Sequence, residues 1–383
     1  MISNRTKKIK YAIRDLEVGV KPGTIKINIG DPLAYDLKLP KIMERELIRA
    51  VRKGYNYYSD SQGLYDLRKE IGKKENVSPD DVIITSGTSE AINFIFASLL
   101  NKGDEVILPT PCYPQYPSMV YLWSGKPVFY HCDSNWVPYP NEIRKKITKK
   151  TKAVLLINPN NPTGAVYPKD ILEEVCKICE EKDLILISDE IYSDLIFEGK
   201  FYSVADLSNS KTIVLNGVSK CYLAPGWRIG WITFHNFKDN NLKESILKLC
   251  RLRLCANTPA QFAIANVLKY ENHNGKNYLE EVINKLRKRR EFMMKKFSEY
   301  GINCVRPKGT FYAFPWIENK GWKNDMDFVL KLRDRMKVLV VHGSGFYYKS
   351  KDIHFRIVFL PNEKILGEAL DRIGKFINKK IQK

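Results

Sequence analysis

The stretch TIVLNGVSKCYLAPGWRIGW, residues 212–231, places an apolar run, a lysine and an arginine in an order that decides how the rest of the chain is read. Residues 212–215 are apolar and mostly β-branched, the composition of a buried strand. Asn216-Gly217 ends that run, Lys220 follows, and Arg228 stands beside Gly226-Trp227. A lysine at the end of a buried strand offers an amine that can bond covalently to an aldehyde, and the arginine's planar fork suits a phosphate dianion. Taken alone, the stretch fits a surface lysine before a turn equally well.

Upstream, two further polar turns follow apolar runs in the same way. Asn158-Pro159-Asn160-Asn161-Pro162-Thr163-Gly164 follows residues 153–157, and Ser188-Asp189-Glu190-Ile191-Tyr192 follows residues 184–187. In open α/β sheets ligands bind at the carboxyl ends of the strands, so Asn161, Asp189, Tyr192 and Lys220 are expected on neighbouring strand ends. Between residues 81 and 234, short apolar runs alternate with helical patterns. The runs 82–85, 105–108, 127–130, 153–157, 184–187, 212–215 and 231–234 predict an α/β fold with a mostly parallel seven-stranded sheet covered by helices on both faces. A long charged helix over 278–300 follows. Beyond it, strands are expected at 303–305, 310–314, 338–341 and 354–358, with helices at 325–336 and 363–377, making an α+β C-terminal unit.

The motifs Asn161-Pro162-Thr163-Gly164, Asp189-Glu190-Ile191-Tyr192, Ser219-Lys220 and Gly226-Trp227-Arg228 together resemble those of fold-type I pyridoxal-phosphate aminotransferases of the aspartate aminotransferase superfamily. The resemblance runs from Tyr11 to Pro361 and is closest to archaeal alanine aminotransferases, through Ile29-Gly30-Asp31-Pro32, RLRLCANTPAQF at 251–262, Trp322-Lys323-Asn324-Asp325 and VVHGSGF at 340–346. It implies a large cofactor-binding domain over 45–277. The arm 1–44 and residues 278–383 would together form a small, discontinuous domain.

It also implies a role for each matching residue. Lys220 would bond to pyridoxal 5'-phosphate and then move the substrate's proton. Asp189 would face the pyridine nitrogen and keep it protonated, so that the ring draws in electrons. Asn161 and Tyr192 would bond the ring's phenolic oxygen, and Tyr113 would stack on the ring. Gly87, Thr88 and Ser89, at a glycine turn feeding a helix, would hold the phosphate with Ser219 and Arg228. Arg356 would grip the substrate's α-carboxylate as a two-point fork, with Gly30 and Asn161 beside it. Tyr58 would reach the phosphate of a neighbouring subunit, which makes a homodimer the expected assembly.

Three places depart from the family pattern. Gly217 stands where many members carry a phosphate-binding serine, leaving Ser219 as the nearby hydroxyl. The segment 15–29 is shorter than usual. Tyr347-Tyr348-Lys349-Ser350 replaces residues that are often glycine.

Bulk properties narrow the class. The 383 residues suffice for a large core, and a 44% hydrophobic content is ordinary for a globular protein. No apolar run is long enough to cross a bilayer, and the first ten residues lack the apolar block of a secretory signal. Residues 1–10 are therefore expected to belong to the mature fold. The net charge of +20 raises the question of a polyanionic partner. The densest runs, Arg287-Lys288-Arg289-Arg290, Lys145-Lys146 with Lys149-Lys150, and Lys379-Lys380, have no interleaved aromatics to stack on bases, so they are expected to be solvated surface and no nucleic-acid partner is expected. Eight scattered cysteines suggest a reducing compartment, hence the cytoplasm, and Cys176 and Cys179 fall on one apolar helix face rather than in a metal motif.

The function expected is transamination between L-alanine and 2-oxoglutarate, giving pyruvate and L-glutamate. The alternatives are an aspartate or aromatic aminotransferase, or a pyridoxal-phosphate lyase on the same fold. A transcription regulator with an aminotransferase-like sensor would need a DNA-binding domain, for which the resemblance starting at Tyr11 leaves no room. Arg251 and Arg253 lie near where members of the resembled family reach across the dimer to a second carboxylate, and have two readings, a grip on the distal carboxylate of glutamate or a surface or interface salt bridge.

Overall fold

The computed structural model describes residues 3, 5–9, 11–274 and 277–381. Its strands are β1 (Ile25–Lys26), β2 (Val82–Thr85), β3 (Glu105–Thr110), β4 (Lys126–His131), β5 (Thr151–Ile157), β6 (Ile185–Asp189), β7 (Thr212–Gly217), β8 (Gly230–His235), β9 (Tyr312–Ala313), β10 (Trp316–Ile317), β11 (Val338–Leu339), β12 (Val341–His342) and β13 (Ile353–Val358). Seven of them form one sheet in the order β2-β8-β7-β6-β5-β3-β4, with β8 antiparallel to both neighbours and the remaining pairs parallel. Alternate residues of each strand enter different cores: Ile83, Val106, Leu155 and Ile213 on one face, Ile84, Ile107, Val154 and Leu186 on the other. Because both faces are buried, these strands appear in the sequence as continuous apolar runs, and all seven lie where they were expected.

The topology brings the carboxyl ends of β3, β5, β6 and β7 to one edge of the sheet, where the turn after β2 also arrives. That edge faces a second layer made from both ends of the chain. β1 pairs in parallel with β11, and β13 pairs with β9, β10 and β12. Helix Asn277–Tyr300 packs against helix Glu363–Ile381. Helix Lys41–Arg52 instead packs on helix Thr258–Asn274, so residue 44 lies inside a helix.

Two expectations need correction. Residues 303–305 do not form a strand; only a single bridge from Asn303 to Trp316 is present there, and β10 takes the pairing position beside β13. The basic run on helix Asn277–Tyr300 is not uniformly solvated. Arg289 and Arg290 are 5% and 1% exposed, whereas Arg287 and Lys288 face solvent. Arg289 bonds Asp36 and the Leu360 carbonyl, and Arg290 donates to the Pro307 carbonyl at 2.8 Å and lies over the Phe197 ring. Four consecutive helix positions cover the full circumference, so two of them must turn inward. Lys145, Lys149 and Lys150 are exposed and Lys146 is half-buried, while the side chains of Lys379-Lys380 lie outside the described residues. Cys176 and Cys179 are buried on helix Lys169–Glu181, as expected. Among the described residues, no helix is long and apolar enough to cross a membrane.

Candidate active site

A cavity of about 390 Å³ opens at the edge of the sheet where the strand ends meet. Lys220 lies on its floor, three residues past β7, and its Nζ donates to the Gly30 carbonyl at 2.6 Å. Burial, with Arg356 and Arg228 nearby, outweighs the opposing pull of Asp31 and Asp189, and lowers the Lys220 pKa to about 8. A neutral amine is therefore accessible near physiological pH.

Asp189 ends β6 and is 5% exposed. Burial raises its pKa to about 6, against hydrogen bonds from Tyr116 Oη (2.7 Å to Oδ2) and the Ile191 amide (3.2 Å to Oδ1). It is thus an anion at neutral pH that is held by two donors in an apolar surround.

Thr88 and Ser89 begin helix Thr88–Leu99, whose free amides and dipole favour an anion. Gly87 precedes them at φ +78°, a backbone that disfavours a side chain, and an added Cβ would lie 2.4 Å from Arg228 Nη2. Arg228 is oriented by the carbonyls of Pro225 (2.8 Å) and Ser86 (3.3 Å). The serine of other members does not fit at Gly217: its Cβ would lie 2.8 Å from the Ile229 carbonyl oxygen and 2.9 Å from Gly230 Cα. Ser219 lines the cavity instead.

Opposite this wall lies Arg356 on β13, 1% exposed. One guanidinium nitrogen donates to Asn161 Oδ1 at 3.0 Å and another to the Asn28 carbonyl, while Nε has no partner among the described residues. The guanidinium lies over the Tyr312 and Phe346 rings, 4.5 and 4.8 Å from their centroids. These hydrogen bonds end on neutral oxygens, so the buried cation lacks a countercharge among them; an anion entering the cavity would supply one.

All the expected site residues line this cavity except Gly87, which backs it, and Tyr58, which is 80% exposed and lies outside it. Sequence reasoning missed several residues. Tyr116 holds Asp189, and Tyr312 meets Tyr192 Oη at 3.0 Å and packs so closely on Gly30 that a Cβ there would lie 1.9 Å from its hydroxyl. Tyr11 pairs its hydroxyl with that of Tyr113 at 2.7 Å, and Arg14 reaches the rim from the same arm. The only advance signal was position: Tyr116 follows Tyr113 by one helical turn, and Tyr11 opens the family-like region. Arg251 and Arg253 stay outside. Arg253 binds Glu90 at 2.9 Å and Arg251 lies 3.6 Å from Glu244, each a salt bridge within the chain.

The chemistry of the lining suits pyridoxal phosphate. A buried amine, a buried carboxylate, a helix start beside an arginine, and Tyr113 stand around one cavity, and the positive φ and close packing at Gly87 keep side chains out of the helix start. The family model described as "Aminotransferase class I and II" matches residues 22–373. The chain is 38% identical to glutamate-pyruvate aminotransferase AlaA of Haemophilus influenzae, over 96% of this chain and 94% of that one. It superposes on an alanine aminotransferase from Pyrococcus furiosus with a TM-score of 0.92 at 43% identity, covering 99% of this chain and 100% of that one. A double mutant of Thermus thermophilus aspartate aminotransferase matches with a TM-score of 0.89 at 29% identity, covering 98% and 99%. Carrying this fold and this set of side chains, the chain belongs to the class I and II aminotransferases, pyridoxal-phosphate-dependent transferases of amino groups.

Proposed function

We propose that the enzyme moves an amino group between L-alanine and 2-oxoglutarate, giving pyruvate and L-glutamate. The observation that carries this reading is Arg356, a buried fork with no ion-pair partner among the described residues, in one cavity with Lys220 and Asp189. The names of the relatives at 38% and 43% identity supply the choice of alanine.

In this reading Thr88, Ser89, Ser219 and Arg228 would hold the cofactor's phosphate, with Gly87 giving the backbone room. Tyr113 would pack on the ring, Asn161 and Tyr192 would bond its phenolic oxygen, and Asp189 would keep its nitrogen protonated. What pyridoxal phosphate supplies when bound is an aldehyde for covalent attachment and a ring that takes up the electron pair left on the substrate Cα. Arg356, with Gly30 and Asn161 beside it, fixes the α-carboxylate and so aims the Cα–H bond at Lys220. Lys220 Nζ, neutral above about pH 8, takes that proton and returns it as the general acid.

Alanine has one carboxylate and glutamate two, so a shared site needs a second cation that only glutamate uses. Arg14 is the candidate. It lines the cavity from the arm, its side chain is 64% exposed, and its pairing with Glu17 at 3.1 Å is a surface contact that a substrate carboxylate can replace. Arg14→Ala should raise KM for glutamate and 2-oxoglutarate about tenfold and leave alanine and pyruvate within twofold. Equal losses for both pairs in steady-state assays would remove Arg14 from this role. Arg356→Lys, by contrast, should weaken alanine and glutamate alike, by about 2–5 kcal/mol in kcat/KM. An amino-donor panel with 2-oxoglutarate tests the substrate itself: a tenfold preference for aspartate or tyrosine over alanine would overturn it.

The working unit is proposed to be a cytoplasmic homodimer, with the arm 1–44 and residues 278–383 forming a small domain against a cofactor domain over 45–277. The exposed Tyr57, Tyr58, Leu252 and Leu254 support an apolar face that a second copy would cover. Tyr58 of the partner subunit would then complete the phosphate site. Mixing Lys220→Ala with Tyr58→Ala chains should restore activity in exchanged dimers up to about a quarter of wild type, because about half the dimers are hybrids with one intact site each. No recovery after proven exchange would show that one chain makes the whole site.

A further inference from the structure

At the helix start beside the catalytic cavity, a carboxylate and a guanidinium that do not line it face each other. Arg253 ends helix Asn241–Arg253, and its Nη1 donates to Glu90 Oε2 at 2.9 Å; the two side chains are 13% and 16% exposed. Nη2 donates to the Ser61 carbonyl at 3.2 Å and to the Ile84 carbonyl of β2 at 3.3 Å. Acceptors from three separate segments fix the guanidinium in one place, unlike an exposed pair whose long side chains wander.

The pair acts on the turn where the cofactor's phosphate would sit. The same Glu90 oxygen accepts the Ser86 amide at 2.8 Å, and the Ser86 carbonyl accepts from Arg228 Nη2 at 3.3 Å. Ser86 is thus gripped at both of its backbone groups, by Glu90 on one side and Arg228 on the other. Gly87, Thr88 and Ser89 follow directly, so the course of the turn and the aim of Arg228 both depend on it.

This bracing has an electrostatic drawback. Glu90 is the third residue of helix Thr88–Leu99, so its carboxylate lies at the positive end of that helix, the place that favours an anionic guest. A carboxylate with no countercharge there would repel a phosphate dianion through a partly buried, weakly screened path. Arg253 cancels the Glu90 charge and leaves its oxygen on the Ser86 amide.

We propose that Arg253 is a positioning residue for the cofactor's phosphate: it neutralises Glu90, so that a carboxylate can brace the turn 86–89 without repelling the dianion bound there. The proposal rests on the reading that Thr88, Ser89 and Arg228 hold the phosphate.

The test compares dissociation constants for pyridoxal 5'-phosphate and for pyridoxal, which lacks the phosphate, read from the visible band in variants that step the charge of the pair. Arg253→Met leaves one negative charge and should weaken pyridoxal phosphate about fivefold. Glu90→Gln keeps an oxygen for both donors but leaves one positive charge, and should tighten it by a similar factor. The double variant restores neutrality and should return to within about twofold of wild type, while pyridoxal binds alike in all four proteins. A pair that only held the fold together would give another pattern, with each single variant weaker, the double variant weakest and pyridoxal equally affected; that result would overturn the proposal, as would weaker binding in Glu90→Gln alone. Arg253→Met gives up the bonds to Glu90, Ser61 and Ile84, so if it does not fold the measurement on Glu90→Gln, which gives up none of them, decides. Arg228→Ala separates this inference from the reading beneath it. Unchanged affinity for pyridoxal phosphate in that variant would place the phosphate elsewhere and overturn both; a loss there, with the charge pattern absent in the other variants, would overturn the role of Arg253 alone.

Discussion

Lys220→Ala should lower kcat by about 10⁴-fold or more, the upper end of what one positioned acid–base group contributes, and should abolish the covalent link to the cofactor. The loss should be nearly complete because one nitrogen serves two roles, attachment and proton transfer, and among the described residues no other lysine lines the cavity. The fold should survive. Lys220 is a buried amine whose charged form is disfavoured by burial, so its removal relieves a cost rather than creating one. The same lowered pKa gives this prediction a pH signature in the wild-type protein. Only the neutral amine attacks an aldehyde, so the rate at which the apoprotein captures pyridoxal phosphate should rise about tenfold per pH unit below about 8 and level off above it. A rise that continues to pH 10, or a borohydride-reducible adduct in Lys220→Ala, would overturn the assignment.

Asp189→Asn should retain the cofactor and lose about 10³-fold in kcat, equivalent to about 4 kcal/mol of barrier at about 1.4 kcal/mol per decade. The substitution keeps the shape of the side chain and removes its charge. What is lost is the buried anion that would stabilise a proton on the ring nitrogen. The Tyr116 hydroxyl should matter for the same reason at smaller scale. It opposes the rise in the Asp189 pKa, so Tyr116→Phe should move that pKa upward and lose activity first at the acid end of the profile. A near-normal kcat in Asp189→Asn would make Asp189 structural.

The site was legible to different degrees for physical reasons. Asn161, Asp189 and Lys220 each follow a strand buried on both faces, and such strands show as apolar runs with polar stops, so order along the chain translated directly into neighbours at one sheet edge. Tyr116 and Tyr312 had no such marker. Each is a tyrosine in an apolar context, and its role depends on which carboxylate or hydroxyl the folded chain brings to its ring. The two-residue strands of the second layer were only partly visible, since two residues show no period. The misplaced strand at 303–305 has the same cause.

By itself the sequence determined the sheet, the residues at its carboxyl edge and the family, because these follow from local polarity patterns and from motifs whose spacing is set by one strand–turn unit at a time. The tertiary structure alone decided the rest. It paired β1 with β11 across about 310 residues, turned Arg289 and Arg290 inward to carbonyls contributed by other loops, and closed Arg253 on Glu90. It also set Ala12 of the arm against Gly345. Each of these is a contact between segments far apart in the chain, and whether a charge is solvated, paired or buried depends on what the fold brings to it, which no local pattern encodes.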